Sequence, residues 1–417
     1  MNYMNYMKVT LSIIIIITFL VGCTTSQPKQ PLAPNSSFAG TSIEKVSSTF
    51  RDSVTASNLL GYNLLINMQE GENTLLSPIS LSMALAMAYN AASSDTAANI
   101  AQTMGDEDPT LINPHYNALI AHLNREHDSD KIQIGNSFWI RDTLEAKQTF
   151  VDVLSKDFNA DIHSADFADK NTINIMNTWV EDKTNGLLKD TIKEIDPLTI
   201  AYLMNTVYFK GKWLDAFSED ATLSLPFYLA DGSTRPVPMM SQTKSFQYAE
   251  NDVVQVAAFP YKDNTRMVIY LPKESLNDLI KSHNYNDLAM LTSDEQMINR
   301  RLSVSMPKFE YSVSNPLKNA LVEMGLTLPF DNEKADFSNM IEIKNENVFI
   351  SDIFQNAKII NDEGGTEAAA VTVVEFGVTS MPMVDEPIVF NCNKPFFYVI
   401  EDITTGAALF MGTYLGK

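Results

Sequence analysis

Two spacings of apolar residues divide the chain into an earlier helical part and a later strand-rich part. Residues 50–71, FRDSVTASNLLGYNLLINMQEG, and 77–92, SPISLSMALAMAYNAA, repeat apolar positions at helical spacing. In the second, Ser77 supplies a cap and Pro78 a first-turn residue that needs no N–H. Residues 172–188, TINIMNTWVEDKTNGLL, predict a third helix, closed by the turn signal Asn185–Gly186. Strand chemistry follows in LMNTVYFKGKW (203–213), RMVIYLPK (266–273), RLSVSMPKFEYS (301–312) and PFFYVIEDITTGAALFMGTYL (395–415), all rich in β-branched and aromatic residues. No internal repeat stands out, and helices followed by strands predict an α+β fold with large, mostly antiparallel sheets.

The first residues break this pattern. Lys8 is followed by the apolar run VTLSIIIIITFLVG and then Cys23, a run too short to span a bilayer comfortably. It reads as a secretory leader over residues 1–22, set apart from the fold. LVGC resembles a bacterial lipobox, in which cleavage before Cys23 exposes that cysteine to lipid; an ordinary leader with a chance cysteine is the alternative. Residues 23–45 are rich in Pro, Ser, Thr and Gln and read as a flexible tether, which leaves 46–417 as the folded body. The expectation is a bacterial protein secreted across the inner membrane and lipid-anchored, at the outer membrane, in the periplasm or on the surface. With Cys23 acylated, Cys392 has no disulfide partner and reads as a small buried residue.

The whole chain has 417 residues, 45% of them hydrophobic and 19% charged, enough to bury a sizeable core. A formal charge of −21 argues against a nucleic-acid partner. There is no G-x-S-x-G elbow, H-E-x-x-H, phosphate loop or paired C-x-x-C, so no metal or cofactor is expected; absent motifs do not by themselves exclude an enzyme, because triads are recognised by geometry. The five histidines, 115, 122, 127, 163 and 283, lie in polar segments and read as solvated.

The most informative stretch is DEGGTEAAAVTVVEFGVTSMPM, Asp362 to Met383. Its strand-prone run AAAVTVVE makes a poor exposed loop, because such a segment invites pairing with an open sheet edge. Alternate residues Thr366, Ala368, Ala370, Thr372 and Val374 are small and uncharged, so that face could slide between packed strands without burying a charge. Gly364 and Gly365 supply hinge freedom. A fixed alanine-rich helix or a static edge strand fits the composition equally.

DEGGTEAAA closely resembles the proximal hinge of the serpin family. The motifs TLLSPISLSMALAM (74–87), LMNTVYFKGKW, YLPK (270–273), VSMPKFE (304–310), ADFSNM (335–340), NKPFFYVI (393–400) and TGAALFMG (405–412) match it in order over residues 46–417. The resemblance implies a single α+β domain of three β-sheets and about nine helices, with an exposed reactive-centre loop at about 363–387. It also implies a suicide-substrate inhibitor: a serine protease cuts the loop, stays bound as acyl-enzyme, and is trapped when the loop inserts into the central sheet. Roughly a dozen new hydrogen-bonded residues at roughly 0.5–1.5 kcal/mol each would make that step irreversible.

The hinge implied by the resemblance is Glu363, Gly364, Gly365, Thr366, Glu367, Ala368, Ala369 and Ala370. Family spacing from Glu363 places the reactive bond at Thr379–Ser380, with Val378–Thr379 as the alternative. No Lys or Arg lies between Glu363 and Lys394, which disfavours trypsin-like targets and favours elastase-like ones. Phe376–Gly377 offers a chymotrypsin-like site, and cysteine proteases are a further candidate target class. The implied shutter, which holds the central strands together, is Ser77, Ser80, Asn205 and Gln355. Gln355 stands where the family often has a histidine, so it can hydrogen-bond but cannot titrate near neutral pH. A monomer is expected, and a non-inhibitory serpin acting as a binding protein is the alternative function.

Overall fold

Local signals begin the helices. In the computed structural model of the chain, which describes residues 10–20, 38–45, 49–68, 71–105, 108–126, 131–196, 198–343, 347–365 and 386–417, Ser77 caps the helix Pro78–Ala91. Its hydroxyl accepts from the Ser80 N–H at 3.2 Å. This helix has no polar face and is buried nearly all round, from Ile79 to Ala88. The helix Phe50–Asn67 crosses it closely: a Cβ on Gly61 would meet Pro78 Cγ at 2.4 Å. The helix Lys170–Lys183 is capped by Asp169 and followed by Asn185 and Gly186 at positive φ, the turn their sequence predicts. Nine α-helices occur among the described residues.

The central sheet runs in the order β12 (Phe309–Pro316), β13 (Phe349–Asn361), β1 (Thr10–Leu20), β6 (Thr199–Lys210), β4 (Lys131–Arg141) and β3 (Arg125–Glu126), with β5 (Ala160–Ala165) parallel to β4. β6 is buried on both faces. Leu203, Val207 and Phe209 join the main core that includes the Pro78–Ala91 helix, while Tyr202 and Met204 join Trp139, Met176, Trp179 and Val180 on the Lys170–Lys183 side. Cover on both faces explains why this strand reads as an almost unbroken apolar run.

The remaining strands form a second hydrogen-bonded set: β14 (Ile388–Asn391), β11 (Ile298–Pro307), β8 (Thr234–Glu250), β9 (Val254–Pro260), β10 (Thr265–Pro272), β15 (Phe396–Asp402), β16 (Ala408–Tyr414) and β2 (Thr74–Leu76) in that order, with β7 (Leu223–Tyr228) beside β8. The long β8 is shared between two sheets. Its stretch from Thr234 to Tyr248 carries β7 and β11, and Gln247 to Glu250 carries β9. Three sheets result, in an α+β architecture.

Two departures from the sequence expectation concern the N-terminus. Thr10–Leu20, set apart from the fold as leader, forms β1 between β6 and β13, antiparallel to both. The physical reason is local and tertiary at once: an isoleucine run has high strand propensity, and two separated strands offer unpaired backbone on either side. The end of the expected tether is also built into the fold. Phe38 and Ile43 pack on the main core, and the Thr41 N–H donates to Asn117 Oδ1 at 2.8 Å. These apolar side chains, few as they are, have surface to bury. Cys23 lies outside the described residues.

Candidate functional site: the hinge and the sheet beneath it

β13 delivers the chain to the hinge, and the segment following β6 grips it there. The Trp213 indole Nε1 donates to the Asp362 carbonyl at 2.9 Å, the Phe217 N–H to the Glu363 carbonyl at 2.8 Å and the Trp213 N–H to the Gly364 carbonyl at 3.2 Å. Three successive hinge carbonyls are thus satisfied from one neighbouring segment. Trp213 is in turn fixed by stacking on Tyr261, with ring centroids 4.3 Å apart and planes within 10°. Gly365 adopts φ +75°, and a Cβ there would lie 2.3 Å from the Trp213 nitrogen, so both conformation and close approach require glycine.

Two adjacent carboxylates at this hinge are driven in opposite directions. Asp362 is 4% exposed, and burial, the largest effect, pushes its pKa up to about 7. The Gly364 N–H, 3.0 Å from its Oδ1, and the Lys308 charge only partly offset this, and Glu363 and Glu219 add to it. Burial would raise Glu363 as well. There, hydrogen bonds from Lys308 Nζ to Oε2 at 2.7 Å and from Thr222 Oγ1 to Oε1 at 2.7 Å win, holding it below its ordinary value.

Below the hinge, Ser77, Ser80, Asn205 and Gln355 are all fully buried and are joined by hydrogen bonds. Gln355 Oε1 accepts from the Ser77 N–H at 2.9 Å, and its Nε2 donates to the Ser77 carbonyl at 3.2 Å. Ser80 Oγ donates to Asn205 Oδ1, and Asn205 Nδ2 donates to Asn136 Oδ1 at 2.6 Å. Asn136 continues to the Phe158 carbonyl at 2.7 Å. Strand register explains the gathering. Asn136 is opposite Asn205, Asn205 opposite Ile15, Ile15 opposite Gln355 and Gln355 opposite Asn315, so one row crosses five strands. Asn315 reaches the Leu75 carbonyl at 2.8 Å. The buried polar groups tie β4, β6 and β13 to the start of the Pro78–Ala91 helix.

Of the hinge residues inferred from sequence, Glu363, Gly364 and Gly365 take the positions above. Thr366, Glu367, Ala368, Ala369 and Ala370 lie outside the described residues, as do Val378, Thr379 and Ser380. Sequence reasoning did not single out Trp213 and Lys308, although both stand in the quoted motifs LMNTVYFKGKW and VSMPKFE. Asn136 and Asn315 carried no local signal. The solvated reading is wrong for His115, which is 3% exposed with Nδ1 2.6 Å from Ser53 Oγ. His122 and His163 are half-buried: His122 Nε2 is 3.1 Å from the buried Asp402 Oδ1, and the His163 ring stacks 3.8 Å from Trp139. Polar neighbours in sequence do not reveal which side of an element faces inward. Among the described residues no cluster of three or more His, Cys, Asp or Glu could hold a metal ion.

A family model described as Serpin (serine protease inhibitor) matches residues 55–416. An uncharacterised serpin-like protein of Thermococcus kodakarensis is 29% identical over 97% of this chain and 98% of its own. Serpin A9 of Mus musculus is 32% identical with 86% of each chain covered. Leukocyte elastase inhibitor of Homo sapiens is 29% identical over 82% of this chain and 92% of its own. Among solved structures, the thermophilic serpin Tengpin in its native state matches with a TM-score of 0.80 at 27% identity, over 91% of this chain and 97% of that one.

Proposed function

Because the chain belongs to the serpin family, and is therefore of protease-inhibitor type and not an enzyme, we propose that it is a suicide-substrate inhibitor directed at elastase-like serine proteases. The observation that carries this reading is the hinge. Its root leaves β13 at the mouth of the central sheet, and the residues that follow alternate in small, uncharged side chains. On this reading the protease attacks Thr379–Ser380 and forms an acyl-enzyme with Thr379. The freed loop then turns about Gly364 and Gly365 and enters the sheet antiparallel to β13. Thr366, Ala368, Ala370, Thr372 and Val374 need little room there, and neither Glu367 nor Glu375 falls on that face. The small β-branched Thr379 suits a small primary pocket, and a relative is named for inhibiting leukocyte elastase.

Mixing a chain that starts at Cys23 with an elastase-like protease tests the reading directly. A covalent complex that survives denaturing electrophoresis is the expected product; clean loop cleavage without complex would leave a non-inhibitory binding protein. The LVGC signal adds a lipid anchor on Cys23, which would hold the inhibitor at a bacterial outer membrane, in the periplasm or on the surface. Metabolic labelling with palmitate should mark the wild-type protein and not Cys23→Ala.

A further inference from the structure

The strand that loop insertion requires is already occupied. β1 pairs with β6 from Thr10 to Leu20 and with β13 from Ser12 to Leu20, with one register irregularity on each side near its end. It runs antiparallel to both neighbours, which is the direction a loop leaving the end of β13 would take on entering the same gap. Ile15 lies in register with Asn205 on one side and Gln355 on the other, so β1 crosses the buried polar row at its middle. Adjacent strands are about 4.8 Å apart, and one gap cannot hold two strands.

We propose that the uncleaved leader strand is an autoinhibitory plug: while it remains attached, it fills the central sheet, and its removal opens the gap that arms the inhibitor. The proposal rests on the loop-insertion reading above. A leader joined to the fold competes for the gap at high effective concentration, whereas a severed leader is lost by dilution. The run that reads as an export signal therefore has a second use in the unexported chain. Its isoleucines supply strand propensity, and the run from Thr10 to Leu20 carries no charge. The unprocessed protein would then be cut by proteases as a plain substrate, and only the processed protein would trap them.

The test compares three purified proteins: the unprocessed chain kept intact by Cys23→Ala, the same chain with Ile15→Pro, and the chain starting at Cys23. Proline in β1 removes a ladder N–H at the row shared with Asn205 and Gln355. Hydrogen exchange reads occupancy without reference to any protease. Those amides of residues 199–210 and 349–361 that face β1 and not β4 or β12 should be protected in the unprocessed chain and exchange roughly 100-fold faster in the other two. The unprocessed chain should also melt roughly 10 °C higher and form less than a tenth as much protease complex. Equal exchange in all three proteins, or trapping that occurs and is equal in the unprocessed and processed chains, would overturn the proposal. If exchange differs as expected but no form traps a protease, the inhibitor reading fails and the occupancy of the gap by β1 still stands.

Discussion

At the scale of single residues, the hinge places two neighbouring acids under opposite constraints. Asp362 titrates near pH 7 in the fold against 3.8 for its ordinary value, so its ionisation opposes the folded state. Its contribution to stability is fully present below about pH 4 and is lost as the pH rises through 7. Glu363 behaves in the reverse sense: its lowered value contributes stability above its unfolded pKa, and this is lost as the pH falls. Asp362→Asn keeps an acceptor for the Gly364 N–H while removing the buried charge. It should therefore stabilise the protein by about 3 kcal/mol more at pH 8 than at pH 5, measured by denaturant unfolding at the two values. An equal effect at both would show that Asp362 is not protonated in the fold. Gln355, buried and hydrogen-bonded to the Ser77 backbone, cannot titrate near neutral pH.

At the scale of elements, the polar row links the central strands to the start of one helix. Asn205 accepts from Ser80 and donates to Asn136, linking the Pro78–Ala91 helix to β6 and β4. Asn205→Ala would leave Ser80 Oγ and Asn136 Oδ1 buried without these partners, at a cost of about 2–4 kcal/mol. The expected result is a fall in Tm of several degrees together with faster exchange in β6; an unchanged Tm would mean that the row is redundant. Conserving the charge state while changing only this amide separates the effect from the electrostatics of the hinge. On the other flank, Gln355 uses both its oxygen and its nitrogen on the Ser77 backbone, so β13 is tied to the same helix start.

At the scale of the whole molecule, the proposed function requires an uncut fold less stable than the cut one, with the difference stored in an unfilled sheet. Cleaving the loop of the processed chain should raise its Tm by roughly 20 °C or more, since a full strand joins a buried sheet. Thr366→Arg should abolish that rise and turn inhibitor into substrate, because insertion would bury a guanidinium without a partner. A large rise in the Arg variant would contradict insertion through this face. What the sequence settles by itself is local: Ser77 and Pro78 open a helix, Asn185 and Gly186 end another, runs of β-branched and aromatic residues make the strands, and the spacing of motifs from 74 to 412 identifies the family. These depend on neighbours a few residues away. The burial of Asp362 and His115, the row from Asn136 through Gln355 to Asn315, and the entry of Thr10–Leu20 into the sheet were decided only by tertiary structure. Each depends on register and cover contributed by segments far apart in the chain, and a residue's own surroundings in sequence carry no record of which distant strand will lie beside it.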